Sequence, residues 1–300
     1  MRPLHRVFVT GATGFVGRTV IQALRAEGYV VRCLVRRGSE RDLRGVEAIE
    51  RVEGDVLSRQ TLEEGMAGCD AVVHLVGIIR EHVPTNTTFY RVHVQGTSNV
   101  VAAAASVGVR RYIHMSALGA REGARSRYHQ TKWAAEEAVH ACSLPWTIVR
   151  PSVIYGRGDG FVSPLARLVR RLPVVPLVGG GRLQPVAVEQ VAQAVTRALA
   201  LPAAVKQTYE VGGPDVVTLG ELVDLIGRAL GRRRVLKLYV PAAVARVATR
   251  VLQAVPYFPL TPDHLRMLEE DNVVCDPAPF PGAFGLAPLP LATGLRRLLG

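Results

Sequence analysis

The sequence predicts an α/β protein, a doubly wound parallel sheet with a smaller mixed C-terminal lobe. Three observations lead there. Short β-branched runs alternate with amphipathic stretches through the first half. A glycine-rich turn, Gly11-Ala-Thr-Gly14-Phe-Val-Gly17, falls between the first such run and the first amphipathic stretch. After Arg150 the texture changes, with prolines and glycines clustered from Pro151 to Pro185 and shorter segments.

Val7-Phe8-Val9 reads as the first strand. Residues 15–27 follow as a helix, with Phe15, Val16, Thr19, Val20, Ala23 and Leu24 on one face. Val30 to Val35 is a second strand and Val46 to Val52 a third. Ala71 to Val76 is a fourth, continuously apolar, as a strand buried on both faces requires. Val94 to Val107 is an alanine-rich helix, Val109 to Met115 a fifth strand, residues 127–142 a helix and Trp146 to Val149 a sixth strand. Six strands with helical crossovers make a Rossmann-type dinucleotide-binding domain over residues 1–150. In residues 151–300, Val188 to Leu199 and Leu219 to Leu230 read as helices and Thr208 to Val211 as a strand. This half is expected to be a substrate-side lobe, partly returning to the first domain.

Composition narrows the function classes. The 300 residues carry 37 Lys+Arg against 25 Asp+Glu, a net +12, and only Lys132, Lys206 and Lys237 are lysine. Each half carries +6, so no basic tail or charge-segregated module is expected. With aromatics at 6%, a nucleic-acid footprint is not expected. Cys33, Cys69, Cys142 and Cys275 form no close pair and the eight histidines lack ligand spacing, so neither a disulfide framework nor a metal site is predicted. No signal peptide and no membrane-spanning stretch are read. The expectation is a cytoplasmic protein.

The glycine turn has the strand–turn–helix context that binding a dinucleotide demands. Gly11 allows the tight turn, Gly14 admits a pyrophosphate to the backbone, Gly17 lets helix and sheet pack closely, and the helix N-terminus faces the anion. An NAD-selective site places a carboxylate at the end of the second strand. Here that position reads Leu34-Val35-Arg36-Arg37-Gly38-Ser39, which suits a 2′-phosphate, so NADP(H) is favoured over NAD(H). Asp55 either accepts a hydrogen bond from the adenine amino group or caps the next helix. Gly77 would let the backbone lie against the cofactor, and His74 reads as a packed strand histidine. The cofactor set is Thr10, Gly11, Thr13, Gly14, Phe15, Val16, Gly17, Arg36, Arg37, Asp55, Val56, Leu75, Val76, Gly77, Lys132, Pro151, Ser152 and Val153.

Ser116 ends the fifth strand, and Tyr128-His-Gln-Thr-Lys132 begins the next helix. Positions i and i+4 share a helical face, so Tyr128 and Lys132 can enter one pocket. A lysine ammonium beside the phenol would lower its pKa and permit proton exchange with a substrate oxygen. Ser116 would hydrogen-bond that oxygen. The catalytic set is therefore Ser116, Tyr128 and Lys132.

Thr10-Gly-Ala-Thr-Gly-Phe-Val-Gly17, Ser116, Tyr128-x-x-x-Lys132 and Arg150-Pro-Ser-Val-Ile-Tyr-Gly156 together resemble the extended and atypical short-chain dehydrogenase/reductases. His74-Leu-Val-Gly-Ile-Ile-Arg-Glu81, His114-Met-Ser-Ala-Leu-Gly119, and Gly179-Gly-Gly181 followed by Gln184-Pro-Val186 narrow the match. They resemble the branch containing the nucleotide-binding accessory subunit of respiratory complex I and its bacterial relatives, over residues 6–275. The resemblance implies tightly held NADP(H), Pro151, Ser152 and Val153 along the nicotinamide end, and the superfamily's proton-transfer roles on Tyr128 and Lys132. The branch includes structural subunits that bind the nucleotide without known turnover.

The leading expectation is an NADP(H)-dependent oxidoreductase acting on a carbonyl or alcohol. A second is a nucleotide-binding structural or assembly protein, and a third a sugar-nucleotide epimerase or dehydratase. Among partners a small-molecule substrate comes first. The stretch Pro241 to Val255, with Val244, Val247, Val251, Leu252 and Val255 on one face and Arg246 and Arg250 on the other, is expected to pack on the chain's own core. Docking on a membrane surface or protein complex takes second place.

Overall fold

In a computed structural model, residues 4–39, 43, 45, 46, 48–241, 243–247, 261–275 and 279–300 are described. Of the 241–255 stretch, Arg250, Val251, Leu252 and Val255 lie outside them. Seven parallel strands form one sheet in the order β11-β6-β5-β4-β1-β2-β3. They are β1 (Arg6–Thr10), β2 (Val30–Val35), β3 (Glu50–Glu53), β4 (Ala71–His74), β5 (Arg111–Met115), β6 (Trp146–Pro151) and β11 (Gln207–Val211), while the two-residue strands β7 (Ile154–Tyr155), β9 (Arg182–Leu183), β10 (Val186–Ala187) and β12 (Val217–Thr218) form small pairs outside it. The chain winds outward in both directions from β1, as the doubly wound reading requires, so a crevice opens where β1 and β4 lie side by side.

Helices cover both faces. On one side α1 (Phe15–Ala26) and α6 (Val188–Ala200) enclose Val20, Ile21, Leu24, Val191 and Val195 against Val7, Val9 and Val73. On the other, α2 (Arg59–Met66), α3 (Gly96–Ser106) and α4 (Arg127–His140) close over Phe8, Val72, Tyr112 and Ile148. Alternate strand residues feed opposite cores, which is why the central strands read as continuous apolar runs. A third core lies in the small lobe, among α5 (Val162–Arg171), β8 (Val174–Leu177), α7 (Leu219–Ala229) and β13 (Leu236–Tyr239).

Several expected boundaries move, two of them for a clear local reason. The third strand covers only Glu50–Glu53, because Ala48 takes a left-handed backbone (φ 51°) and Val46 turns into the core, its N–H donating to the Leu43 carbonyl. The fourth strand ends at His74. Leu75 makes one last bond to the Thr10 carbonyl at 3.1 Å, and Val76 and Gly77 leave the sheet. Ahead of α3, Tyr90–Gln95 form a π-helical turn whose extra residue changes the helix phase and buries His93.

A buried ion pair ties α4 to β6. Glu136 is fully buried and takes Arg150 bidentate, at 2.9 and 2.5 Å, while that guanidinium lies over the Trp133 ring. Substituting Arg150→Met leaves a buried carboxylate unpaired, and urea denaturation should show a loss of about 3–5 kcal/mol. Among the described residues no helix is long and apolar enough to cross a membrane, and no group of His, Cys, Asp or Glu could hold a metal ion.

Candidate functional site

The glycine turn leaves β1 at the crevice. Gly11 has φ +76°, and a side chain there would reach within 2.9 Å of the Leu75 backbone. Gly14 is the N-cap of α1 in extended conformation, with no side chain capping the helix and no acid in its first turn. A Cβ on Gly17 would sit 2.2 Å from the Gly11 carbonyl oxygen, so the helix can start this close to the turn only without one. The result is a helix N-terminus presenting amides and a positive dipole end to the crevice.

Arg36 and Arg37 are exposed at the C-terminal end of β2, in a turn closed by Ser39 N–H to the Arg36 carbonyl at 2.9 Å. The cap of α2 is Ser58, whose Oγ accepts from Thr61 N–H. Asp55 therefore does not cap that helix. Its carboxylate accepts the Leu57 N–H at 2.9 Å, an Asx turn one step earlier. Asn99 donates to the Val56 carbonyl and fixes that turn against α3. His74 is the packed strand histidine expected: fully buried, it bonds Thr10 Oγ1 at 2.6 Å and Thr97 Oγ1 at 3.1 Å, and burial drives its pKa down to about 3.

At the end of β5 two of the three catalytic candidates, Ser116 and Lys132, come close together, while the Tyr128 ring packs among Phe89, His93 and His129. Ser116 is buried, anchored by its N–H to the Val149 carbonyl at 2.8 Å, and its Oγ has no partner among the described residues. Lys132 is 4% exposed and directs Nζ to the Met115 carbonyl at 3.0 Å. A side chain on Gly77 would approach Nζ to 3.1 Å, so that glycine leaves room for the ammonium. Glu136, one helical turn beyond Lys132, has its carboxylate on Arg150. Burial lowers Lys132 to about 8.

The expected pKa-lowering of Tyr128 by Lys132 needs correction. The phenol packs against the rings of Phe89, His93 and His129 at 6.0, 5.5 and 5.3 Å, and burial there pushes it up to about 12. The ammonium meanwhile is held by a backbone carbonyl.

Three residues that sequence reasoning missed complete the site. His93 hydrogen-bonds Thr131 Oγ1 at 2.9 Å and receives Ile78 N–H at 3.0 Å, joining the β4 exit to α4. Burial and the Lys132 charge hold it neutral, down to about 2. Asp263, in the helix α8 (Pro262–Glu269), accepts the N–H groups of Arg127 and Tyr128 at 2.8 and 3.1 Å and so caps α4 from across the chain. Asn272 Oδ1 takes Ser152 Oγ at 2.6 Å and Val153 N–H at 3.1 Å, and its amide donates to the Leu118 carbonyl. Ser152 is thereby engaged in holding Pro151-Ser152-Val153 in place. Thr261-Pro262 is a legible helix start, but nothing around Asn272 marks it in sequence.

Residues 7–212 match the NAD dependent epimerase/dehydratase family. The chain belongs to that family. Among curated relatives, NADH dehydrogenase (ubiquinone) 1 alpha subcomplex subunit 9, mitochondrial, of Arabidopsis thaliana is 34% identical over 289 residues, covering 90% of this chain and 71% of that one. Ceramide reductase of Caulobacter vibrioides is 37% identical over 172 residues, 57% of this chain and 53% of that one. The fold is shared with an NADPH-dependent quinone oxidoreductase of Escherichia coli solved with NADPH, at TM-score 0.79 and 17% identity, covering 98% of this chain and all of that one. The resemblance to short-chain dehydrogenase/reductases and to the complex I subunit branch is borne out, and the family is NAD(P)-binding and oxidoreductase in type. The ranking of partners is corrected. A relative named as a subunit of a dehydrogenase subcomplex shows that association in a protein complex occurs among this chain's relatives and cannot stand behind a small molecule alone.

Proposed function

We propose that the chain binds NADP(H) and exchanges a hydride with a carbonyl or alcohol substrate, with Ser116, Tyr128 and Lys132 as the reacting groups. The observation that carries this is the buried Lys132 ammonium beside Ser116, whose hydroxyl has no partner among the described residues. Unsatisfied buried groups cost about 1–3 kcal/mol each, a cost that folding alone gives no reason to keep.

The residues present fit a dinucleotide. The uncapped α1 N-terminus would take the pyrophosphate, Arg36 and Arg37 the 2′-phosphate, and Gly77, Lys132 and Pro151–Val153 the nicotinamide end. When bound, the nicotinamide nucleotide supplies or accepts the hydride. Ser116 Oγ–H donates to the substrate oxygen and fixes its position. Tyr128 Oη moves the proton to or from that oxygen, and the Lys132 cation offsets negative charge developing there. Burial raises the phenol to about 12, so it is protonated at neutral pH, the form able to give a proton to a carbonyl oxygen. That is the direction of carbonyl reduction.

The choice of nucleotide is tested at the end of β2. Arg36→Asp should weaken NADPH binding at least about tenfold while leaving NADH binding equal or better, since a charge-assisted phosphate contact contributes about 1.5–3 kcal/mol. Titration of the purified chain with each nucleotide checks it. An unchanged NADPH-to-NADH ratio would refute the assignment.

A second reading has its own support. A tyrosine boxed in by three rings, and a relative named as a subunit, fit a chain that holds its nucleotide as a structural ligand. In that case saturating NADPH would still stabilise the fold, by about 2.7 kcal/mol at a hundredfold excess over Kd. Tyr128→Phe would then change nothing in the cell.

A further inference from the structure

The small lobe carries a bare apolar face. In the two-stranded parallel ribbon of β8 and β13, Val175 and Leu177 point into the lobe's core. Val174 and Pro176, on the opposite face, are exposed, and the register sets them beside Leu236 and Leu238, which are 63% and 59% exposed. Val244 and Val247, one turn apart in the helical residues 243–247, are also more than half exposed. Exposed aliphatic side chains in this number are more than a water-facing surface ordinarily carries.

The charge around it is one-sided. No aspartate or glutamate occurs between Asp159 and Glu189 or between Asp224 and Asp263, the two stretches that supply the ribbon and its flanks. Lys237 is paired with Asp224 and Arg246 with Glu269. Arg232 donates to the carbonyls of Arg170 and Leu172, at 2.8 and 3.3 Å, and clamps its turn onto the end of α5. That brings exposed Arg233 and Arg234 beside exposed Arg170 and Arg171. Equal charge in the two halves of the sequence concealed this. Folding joins two acid-free stretches into one surface.

We propose that this face docks peripherally on an anionic lipid bilayer. Its aliphatic side chains enter the headgroup boundary, and the arginines meet lipid phosphates through planar, paired hydrogen bonds. A second copy of the chain would set arginine against arginine. A nucleic acid would need stacking rings, and the described residues of this face, Val174, Pro176, Leu236, Leu238, Val244 and Val247, supply none.

The test is co-sedimentation of the full chain with vesicles of phosphatidylglycerol and phosphatidylcholine, against vesicles of phosphatidylcholine alone. The expected result is binding to the anionic vesicles only, reduced by added salt. Arg233→Glu/Arg234→Glu and Leu236→Glu/Leu238→Glu should each cut partitioning by about tenfold or more. All four positions are exposed, and an unchanged thermal transition confirms that the variants fold. Equal binding to neutral vesicles, or wild-type binding by both variants, overturns the proposal. So does a dimer that the leucine variant dissolves, or duplex DNA binding lost in the arginine variant and kept in the leucine one.

Discussion

Gly17→Val is expected to abolish nucleotide binding. Its Cβ would lie 2.2 Å from the Gly11 carbonyl oxygen and 2.8 Å from that of Ala12, both backbone atoms that no rotamer change can move. The start of α1 must shift, and with it the amides proposed to face the pyrophosphate. Overpacking of this kind costs about 1–3 kcal/mol or more in stability, so binding and folding are measured together by NADPH titration and urea denaturation. Gly28→Ala is the control. Gly28 has φ +84° but open space around it, so alanine there costs stability through backbone strain and leaves binding unchanged. If Gly17→Val binds NADPH as wild type does, the phosphate-loop assignment fails.

Tyr128→Phe should lower kcat for carbonyl reduction by about a hundred- to ten-thousand-fold, the range of a lost general acid, with nucleotide affinity unchanged. The pH profile adds a second signature. The Tyr128 phenol at about 12 stays protonated through the neutral range, whereas Lys132 loses its proton near 8 in the free chain. If the ammonium is the working form, kcat/KM falls as pH rises through about 8, because that quantity reports the free enzyme. Lys132→Met should reduce the rate and remove this alkaline limb. A limb that persists in Lys132→Met would assign it to another group.

The frame of the fold was open to reading because buried parallel strands leave uninterrupted apolar runs, and because a glycine turn between strand and helix admits few structures. The positions of Ser116, Tyr128 and Lys132 are legible for a similar reason: each sits at a strand end or on one helical face, where spacing alone fixes direction, and their catalytic roles stay proposals. Asp263 and Asn272 were hidden because they meet α4 and Ser152 across more than a hundred residues, through contacts that no local pattern encodes. His93 was hidden by the π-helical turn, which shifts the helix phase on which periodicity depends. The Tyr128 pKa was misjudged because it depends on rings brought in from β4–α3, not on the lysine four residues away. The acid-free face escapes a reading of net charge because its two stretches are distant in sequence, and only the pairing of β8 with β13 makes them one surface.

The central claim is that this crevice performs hydride transfer and does not merely hold a nucleotide. Incubating the full chain with NADPH deuterated at the transferring position, together with a panel of aldehydes and ketones, tests it directly by mass spectrometry of the alcohols formed. The account predicts an alcohol carrying deuterium at the former carbonyl carbon with the wild-type chain, and none with Tyr128→Phe. Recovery of the labelled nucleotide bound but unconsumed across the panel would contradict it, as would equal labelling by the two proteins.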